Sequence, residues 1–364
     1  MNRIVGWDIG GANLKSFSRW GSSPEANAAM ETVFPMWQRP TDLADQLVND
    51  ASCLMSRRSR SQSSDRSREP VEWAVTMTGE LADCFEDRCA GIRHIVNHVT
   101  DAADRLGVAR VVFYGTDGRF VDADEARHHP EPLAAANWHA LASAIAIHGC
   151  PNGLLVDIGS TTTDVIPLVG GAVGTDAKSD FDRLREQSLV YVGCRRTPVC
   201  ALLGSANIGA DHVTLMNEWF ATIDDAMIWL KRAPESPGDC ETADGRPRTR
   251  DDAARRLAKM IGCDRSDHGD AVWFHLSEQI VDAAIKPIVA AMTRWQSWIT
   301  DQFDNATKSL STDTTTLILS GHGHHMLPVD PDGFDNVMHL SEQIGQEANR
   351  AAPSWAVAEL WSCV

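Results

Sequence analysis

The sequence predicts an α/β protein made of two similar halves, each built on a sheet. The tripeptide Asp-Ile-Gly occurs at residues 8–10 and again at 157–159, each time between an apolar strand-like run and a second strand-like run. Strand-like and helix-like segments alternate along the rest of the chain, which is typical of layered α/β domains. The chain has 364 residues, more than a single core usually supports, so two domains are favoured.

The first half has the predicted order β-β-β-α-β-α-β. A hairpin surrounds the first glycine turn, and apolar residues recur at helical spacing from Leu43 to Leu54. The predicted strands cover 3–8, 13–20, 31–35, 72–76 and 110–114, and the predicted helices cover 41–55 and 85–106. Segment 56–68 is rich in Ser and Arg and has no apolar anchor, so it is predicted to be a solvated loop. Residues 1–131 are assigned to the first domain.

The second half repeats the hairpin and is assigned to residues 132–364. A helix opens it after Pro132, and its last helix is expected to pack back on the first domain. Late in the chain, a β-branched strand ends at Ser-Gly-His-Gly, where another helix is predicted. The predicted strands cover 153–158, 163–168, 188–192, 314–319 and 336–340, and the predicted helices cover 214–232, 249–262, 272–303 and 342–362.

Composition restricts the partners. The net charge of −17 argues against nucleic acid or an anionic membrane surface as the main partner. No apolar run approaches the roughly 20 residues that a membrane span needs. Nine scattered cysteines without a CxxC pair indicate reduced thiols in the cytoplasm. A homo-oligomer is compatible with the sequence.

Three motifs in order resemble the actin-like ATPase superfamily, which has a duplicated, ribonuclease H-like two-domain fold with a central cleft. They are the two Asp-Ile-Gly hairpins and the late strand followed by Gly-x-Gly. The amino-acid sequences of the motifs are most similar to those of the hydantoinase A/oxoprolinase-related proteins of the tetrahydromethanopterin-linked one-carbon pathway. The motifs concerned lie at 6–15, 76–85, 135–140, 156–164, 195–199, 242–246 and 320–323.

This resemblance implies a transferase of methanofuran-type cofactor biosynthesis. The implied reaction joins a furfurylamine diphosphate to the phenol of γ-glutamyltyramine, forming an aryl ether and releasing diphosphate. Two alternatives stay open. One is an ATP-dependent small-molecule kinase or hydantoinase-like hydrolase of the same fold, and the other is a non-catalytic nucleotide-binding regulator. Mg²⁺ is the expected metal, and ATP binding is left open.

Small residues with free main-chain N–H groups can hold a phosphate chain, and an acid at a strand end can hold its cation. Asp8 and Asp157 are therefore the predicted metal ligands and catalytic acids; capping of a turn is the alternative role for each. The predicted phosphate-binding residues are Gly10, Gly11, Ala12, Asn13, Lys15, Gly159, Ser160, Thr161 and Thr162.

Glu80 is the predicted general base, because it follows the fourth strand, where actin-like enzymes place the residue that orients the nucleophile. Its alternative is an acid that stabilises a helix start. The remaining candidates are substrate contacts: to the phenolic acceptor or the diphosphate, or, for the late glycine motif, to a nucleoside. Surface salt bridges and simple turns are the alternatives. These predicted substrate-binding residues are Asn137, Arg195, Arg196, Asp244, Gly321 and Gly323.

Overall fold

A computed structural model describes residues 3–20, 27–56, 70–305, 315–327 and 333–364. The Ser/Arg-rich segment, apart from Ser56, lies outside the described residues. The strands are β1 Arg3–Ile9, β2 Asn13–Trp20, β3 Ala28–Val33, β4 Val71–Met77, β5 Arg110–Tyr114, β6 Phe120–Val121, β7 Gly153–Ile158, β8 Thr163–Val169, β9 Ala172–Val173, β10 Leu189–Val190, β11 Ser205–Ile208, β12 Asp211–Thr214, β13 Thr316–Ser320 and β14 Asn336–His339.

The α-helices are α1 Leu43–Ser56, α2 Arg88–Leu106, α3 Ala123–His128, α4 Asn137–His148, α5 Asp180–Glu186, α6 Val199–Leu202, α7 Ile223–Trp229, α8 Arg250–Lys259, α9 Asp270–Asn305, α10 Leu340–Ile344, α11 Gln346–Arg350 and α12 Ala352–Trp361. No helix in the described ranges has both the length and the apolar character that crossing a membrane requires.

The two larger sheets share one strand order. The first runs β3-β2-β1-β4-β5-β6 and the second runs β10-β8-β7-β13-β14, with β9 beside β8. In each, the hairpin that carries Asp-Ile-Gly has a later strand beside its second strand, β3 or β10, and further later strands beside its first strand, β4-β5-β6 or β13-β14. This shared order confirms the predicted α/β fold of two repeated halves.

Two compact units divide the chain. Unit 1 comprises Met1–Gly153, Ile166–Arg185 and Met338–Val364, and unit 2 comprises Leu154–Val165 and Glu186–Val337. The predicted division between residues 131 and 132 refers to the two repeated halves and stays a prediction.

In unit 1, the first sheet is covered on both faces. Alternate residues of β1, such as Trp7, point into a buried core with α1 and α2. The helix α2 begins where the side chain of Asp87 accepts a hydrogen bond from Ala90 N at 2.7 Å. On the opposite face, α12 packs on β1, β2 and β4. The contact is so close that a Cβ on Gly6 would clash with Ser354 O.

Three helix predictions are wrong in part. The segment 214–232 is helical only from Ile223, where Thr222 and Asp225 form a capping box, and it is preceded by the β11–β12 hairpin. Directly after Gly323, where a helix is predicted, the described residues form a single 3₁₀ turn at His324–Met326. The final helix is divided into α10, α11 and α12: Gly345, with φ of 87°, lies at the first break, and Ala351 lies at the second.

Candidate active site

Two glycine turns have the same closing hydrogen bond. In unit 1, Gly10 N donates to Asn13 O at 3.0 Å, and in unit 2, Gly159 N donates to Thr162 O at 2.9 Å. Each turn follows a strand whose next-to-last residue is the acid, Asp8 in β1 and Asp157 in β7. The structure therefore gives the repeated sequence a repeated local geometry.

The carbonyl groups of the first turn are held by the segment that follows β3. Met36 N donates to Gly11 O and Phe34 N donates to Ala12 O, both at 2.8 Å. Because a trans peptide is planar, fixing Gly11 O directs the N–H of Ala12 to the opposite side. Within the described residues, the N–H groups of Gly11 and Ala12 have no acceptor. They are therefore available to an anion.

The carbonyl groups of the second turn are held in an equivalent way by residues 194–196. The N–H of residue 194 donates to Gly159 O at 3.0 Å, and those of residues 195 and 196 donate to Ser160 O at 3.1 and 2.8 Å. The N–H groups of Ser160 and Thr161 consequently point away from this segment and have no acceptor in the part of the chain that is described. Two consecutive N–H groups of this kind form an anion-binding concavity.

Asp8 lies at the end of β1 and is buried, with 5% of its surface exposed. Its Oδ1 atom has no hydrogen-bond partner among the described residues. Burial raises the pKa of Asp8 to about 6, an effect that nearby Lys15 opposes and Glu31 reinforces. Lys15 lies directly opposite Asp8 on β2, and Glu31 lies opposite Lys15 on β3. A buried carboxylate with an unused oxygen is suited to receive a cation.

Asp157 lies near the end of β7 and is partly exposed. The late glycine motif, residues 320–323, packs against it. A Cβ on Gly321 would lie 2.6 Å from Asp157 Oδ1, and Gly323 N donates to Ile158 O at 2.9 Å. Only glycine allows such an approach at position 321, where φ is also 81°. The structure thus brings together the second turn, Asp157 and both predicted glycines within unit 2.

An equivalent contact in unit 1 brings Glu80 to the first turn. A Cβ on Gly79 would lie 3.1 Å from Gly10 O, so the segment at Gly79 touches the first glycine turn. Glu80 Oε1 accepts a hydrogen bond from Ala135 N at 2.8 Å, whereas Oε2 is buried without a partner in the described ranges. Burial raises the pKa of Glu80 to about 7, although the hydrogen bond from Ala135 lowers it. The site therefore holds a carboxyl group that can exchange a proton near neutral pH.

The other predicted side chains have different surroundings. Asn137 is the first residue of α4, and its Oδ1 accepts a hydrogen bond from Trp138 N at 2.8 Å. The guanidinium group of Arg195 is paired with the carboxylate of Asp239. Arg196 is exposed, and no described residue forms an ion pair with it. These two neighbouring arginines are therefore not equivalent.

Asp244 contacts a buried arginine. Its Oδ1 accepts from Arg256 Nη1 at 3.0 Å and from Arg246 N at 3.2 Å. Arg256 has no exposed surface and also pairs with Asp225 at 2.7 Å. Burial would raise the pKa of Asp244, but the hydrogen bonds from Arg246 and Arg256 outweigh it and leave the pKa lowered. The predicted contact of Asp244 with substrate stays a prediction.

Two residues outside the sequence-based prediction contribute to the turns. A Cβ on Gly193 would lie 2.5 Å from Ser160 C, so the second turn requires glycine there. Thr76 lies beside Asp8 in the parallel pairing of β4 with β1, and its buried Oγ1 has no partner among the described residues. The sequence did offer an indication of Gly193, because a glycine directly after the strand predicted at 188–192 is typical of a turn.

The described side chains include no group of three or more His, Cys, Asp or Glu residues placed to hold a metal ion. A cation at either turn would therefore take most of its ligands from water and phosphate oxygens. Mg²⁺ is commonly bound in this way, through one or two carboxylates together with a substrate's phosphates. The unpartnered oxygen of Asp8 fits this mode of binding.

Comparison with known proteins gives consistent matches. The protein named (4-{4-[2-(γ-L-glutamylamino)ethyl]phenoxymethyl}furan-2-yl)methanamine synthase from Methanocaldococcus jannaschii is 29% identical over 358 residues, covering 98% of this chain and 97% of the relative. A protein of the same name from Methanococcus vannielii is 27% identical over 215 residues, covering 57% of this chain and 90% of the relative.

Among solved structures, a ROK family glucokinase from Streptomyces griseus, in complex with glucose and AMPPNP, has 13% sequence identity and a TM-score of 0.39, covering 99% of both chains. The sequence profile described as Hydantoinase/oxoprolinase matches residues 72–328, well over half of the sequence. The chain therefore belongs to the hydantoinase/oxoprolinase family.

Proposed function

We propose that the protein is a transferase that forms an aryl ether between a furfurylamine diphosphate and the phenol of γ-glutamyltyramine. The name of the two curated relatives supports this proposal, because it describes a product in which a phenol oxygen is bonded to a furan methylene group. The match to the Methanocaldococcus protein spans almost the whole of both chains, so no major part of that enzyme lacks a counterpart.

The observation that carries the proposal is the pair of glycine turns with unused N–H groups. In the proposed reaction, the phenol oxygen bonds to the methylene carbon while the bond from that carbon to the diphosphate oxygen breaks. Diphosphate leaves with the electron pair. Each turn has two N–H groups of the kind that can stabilise the charge that develops on diphosphate: those of Gly11 and Ala12 in unit 1, and those of Ser160 and Thr161 in unit 2.

Asp8 is the proposed Mg²⁺ ligand at the first turn, as its unpartnered oxygen allows, and Asp157 is the proposed ligand at the second turn. When bound, the ion would supply Lewis-acid stabilisation of the leaving diphosphate. Lys15, opposite Asp8 in the sheet, adds a positive charge on the same side of the first turn.

Glu80 is the proposed acceptor of the phenol proton. Its Oε2 atom is unused by the described residues, and burial raises its pKa to about 7. A base whose pKa lies near the working pH combines a large ionised fraction with useful basicity. The main-chain hydrogen bond from Ala135 fixes the orientation of the carboxyl group.

The experiment is incubation of the purified protein with furfurylamine diphosphate, γ-glutamyltyramine and Mg²⁺, without ATP. We expect release of diphosphate and formation of the ether, detected by mass spectrometry. A parallel incubation with ATP and Mg²⁺ alone tests the kinase or hydrolase alternative through formation of ADP. ATP-dependent turnover without ether formation would refute the proposal, and the absence of any turnover would favour the non-catalytic regulator.

The cysteines bear on where the reaction takes place. All nine are free thiols. Because free thiols are typical of a reducing compartment, we propose a cytoplasmic location.

A further inference from the structure

Arg195 and Arg196 are fixed to the second glycine turn by their main chains but differ in their side chains. Both N–H groups donate to Ser160 O. The Arg195 guanidinium group is paired with Asp239, and 34% of its side-chain surface is exposed. Arg196 is exposed and forms no ion pair with any residue of the described ranges. One arginine is therefore already neutralised, and the other is not.

The partner of Arg195 is itself part of a fixed network. Arg248 N donates to Asp239 O at 2.8 Å. The guanidinium group of Arg248 is buried and donates two hydrogen bonds to the carboxylate of Asp224, at 2.5 and 2.6 Å. Asp224 belongs to α7, which begins where Ile223 N donates to Thr197 O at 2.9 Å. The chain of contacts therefore returns to the segment that holds the turn.

We propose that Arg196 is the cationic contact for diphosphate at the second glycine turn, and that Arg195 and Asp239 are a positioning pair that holds the segment behind the turn. This inference rests on the proposed function, since that function makes diphosphate the anion. Asp239 lies in a polar loop that the sequence alone gives no reason to connect with the turn.

Charge balance supports this division of roles. An arginine paired with a carboxylate adds little net charge at the turn. An unpaired arginine keeps its full charge and can form two hydrogen bonds with phosphate oxygens. The main-chain bond of Arg196 to Ser160 O, at 2.8 Å, fixes the residue to the carbonyl side of the second turn, so its long side chain is the part that would reach an anion held by the N–H groups.

The test is calorimetric titration with inorganic diphosphate and Mg²⁺ at several salt concentrations. We expect Arg196→Ala to weaken diphosphate binding about tenfold, the range of one charge-assisted hydrogen bond. We also expect a smaller dependence of affinity on salt, because one direct ionic contact is lost. Arg196→Lys should keep the salt dependence. Arg232→Ala, which removes another exposed arginine of unit 2, is the matched control and should bind as the wild type does.

The positioning pair has a different expected signature. Arg195→Ala and Asp239→Asn should each weaken binding about threefold, with the salt dependence unchanged, since no direct contact with the anion is removed. The double variant should bind no more weakly than Arg195→Ala alone. Wild-type affinity in Arg196→Ala, or a reduced salt dependence in Arg195→Ala, would overturn the inference. If the wild-type protein itself fails to bind diphosphate, the proposed function fails as well.

Discussion

Replacing Asp8 with Asn should make the metal-free protein progressively more stable relative to the wild type as the pH rises from 5 to 8, and should abolish turnover. Burial raises the pKa of Asp8 from 3.8 to about 6, so the folded protein holds this proton more tightly than the unfolded chain does. The stability that this proton provides is complete below pH 4 and is lost as the pH rises through 6. The ionised carboxylate then remains buried without a partner for Oδ1.

This rise in the pKa corresponds to roughly 3 kcal/mol over the whole titration, of which roughly 1 kcal/mol falls between pH 5 and pH 8. Asn has nearly the same shape and no charge, so its own unmet hydrogen bonds add an offset that does not vary with pH. The free energy of unfolding of the variant, minus that of the wild type, should therefore increase by roughly 1 kcal/mol between pH 5 and pH 8.

Urea unfolding in metal-free buffer at pH 5, 6, 7 and 8, followed by circular dichroism, measures this difference. Asp83→Asn, at an exposed acid, is the matched control and should show no such trend. Addition of Mg²⁺ and diphosphate should stabilise the wild type and not the Asp8 variant, because binding to the folded state raises stability. A difference in unfolding free energy that is the same at pH 5 and pH 8 would refute the reasoning.

Three further predictions concern other parts of the site. Glu80→Gln should lower kcat about 10²–10⁴-fold and remove the rise of kcat/KM with pH that ionisation near pH 7 gives the wild type; an unaltered pH profile would exclude Glu80 as the base. Gly193→Ala should weaken diphosphate binding in calorimetry, since a Cβ would press on Ser160. Gly204→Ala is the control and should bind normally, because a Cβ there meets nothing within 4 Å; equal affinities of the two variants would contradict this. Asp244→Ala should lower the free energy of unfolding by about 2 kcal/mol, because buried Arg256 keeps only one of its two carboxylate partners; an unchanged urea midpoint would show that the ion pair does not stabilise the fold.

The hairpins could be predicted from the sequence because their information is local. Asp-Ile-Gly between two apolar runs specifies a strand, a turn and a second strand, and its repetition specifies two halves. The bonds that hold the turns could not be predicted in this way. They come from main-chain N–H groups at Phe34, Met36 and residues 194–196. Because every residue type except proline has such a group, the residue type does not indicate which of them will donate.

The wrong helix at 214–232 has a physical explanation as well. Leu215, Met216 and Trp219 have helical spacing, but Met216 and Trp219 are exposed, and Met216 N donates to Met260 O at 2.8 Å. A contact with a distant segment thus decides the conformation of a stretch whose local pattern favours a helix. The different environments of Arg195 and Arg196 follow from distant Asp239 and could not be predicted from the sequence either.

The absence of a side chain at Gly6 has a consequence for synthesis. Because α12 rests directly on this part of β1, the covering of the first sheet comes from residues that the ribosome adds long after the sheet's own strands. A nascent chain that ends before Ala352 would expose that face to solvent. A chaperone that binds exposed strands would therefore have its longest opportunity before the last helix emerges from the exit tunnel.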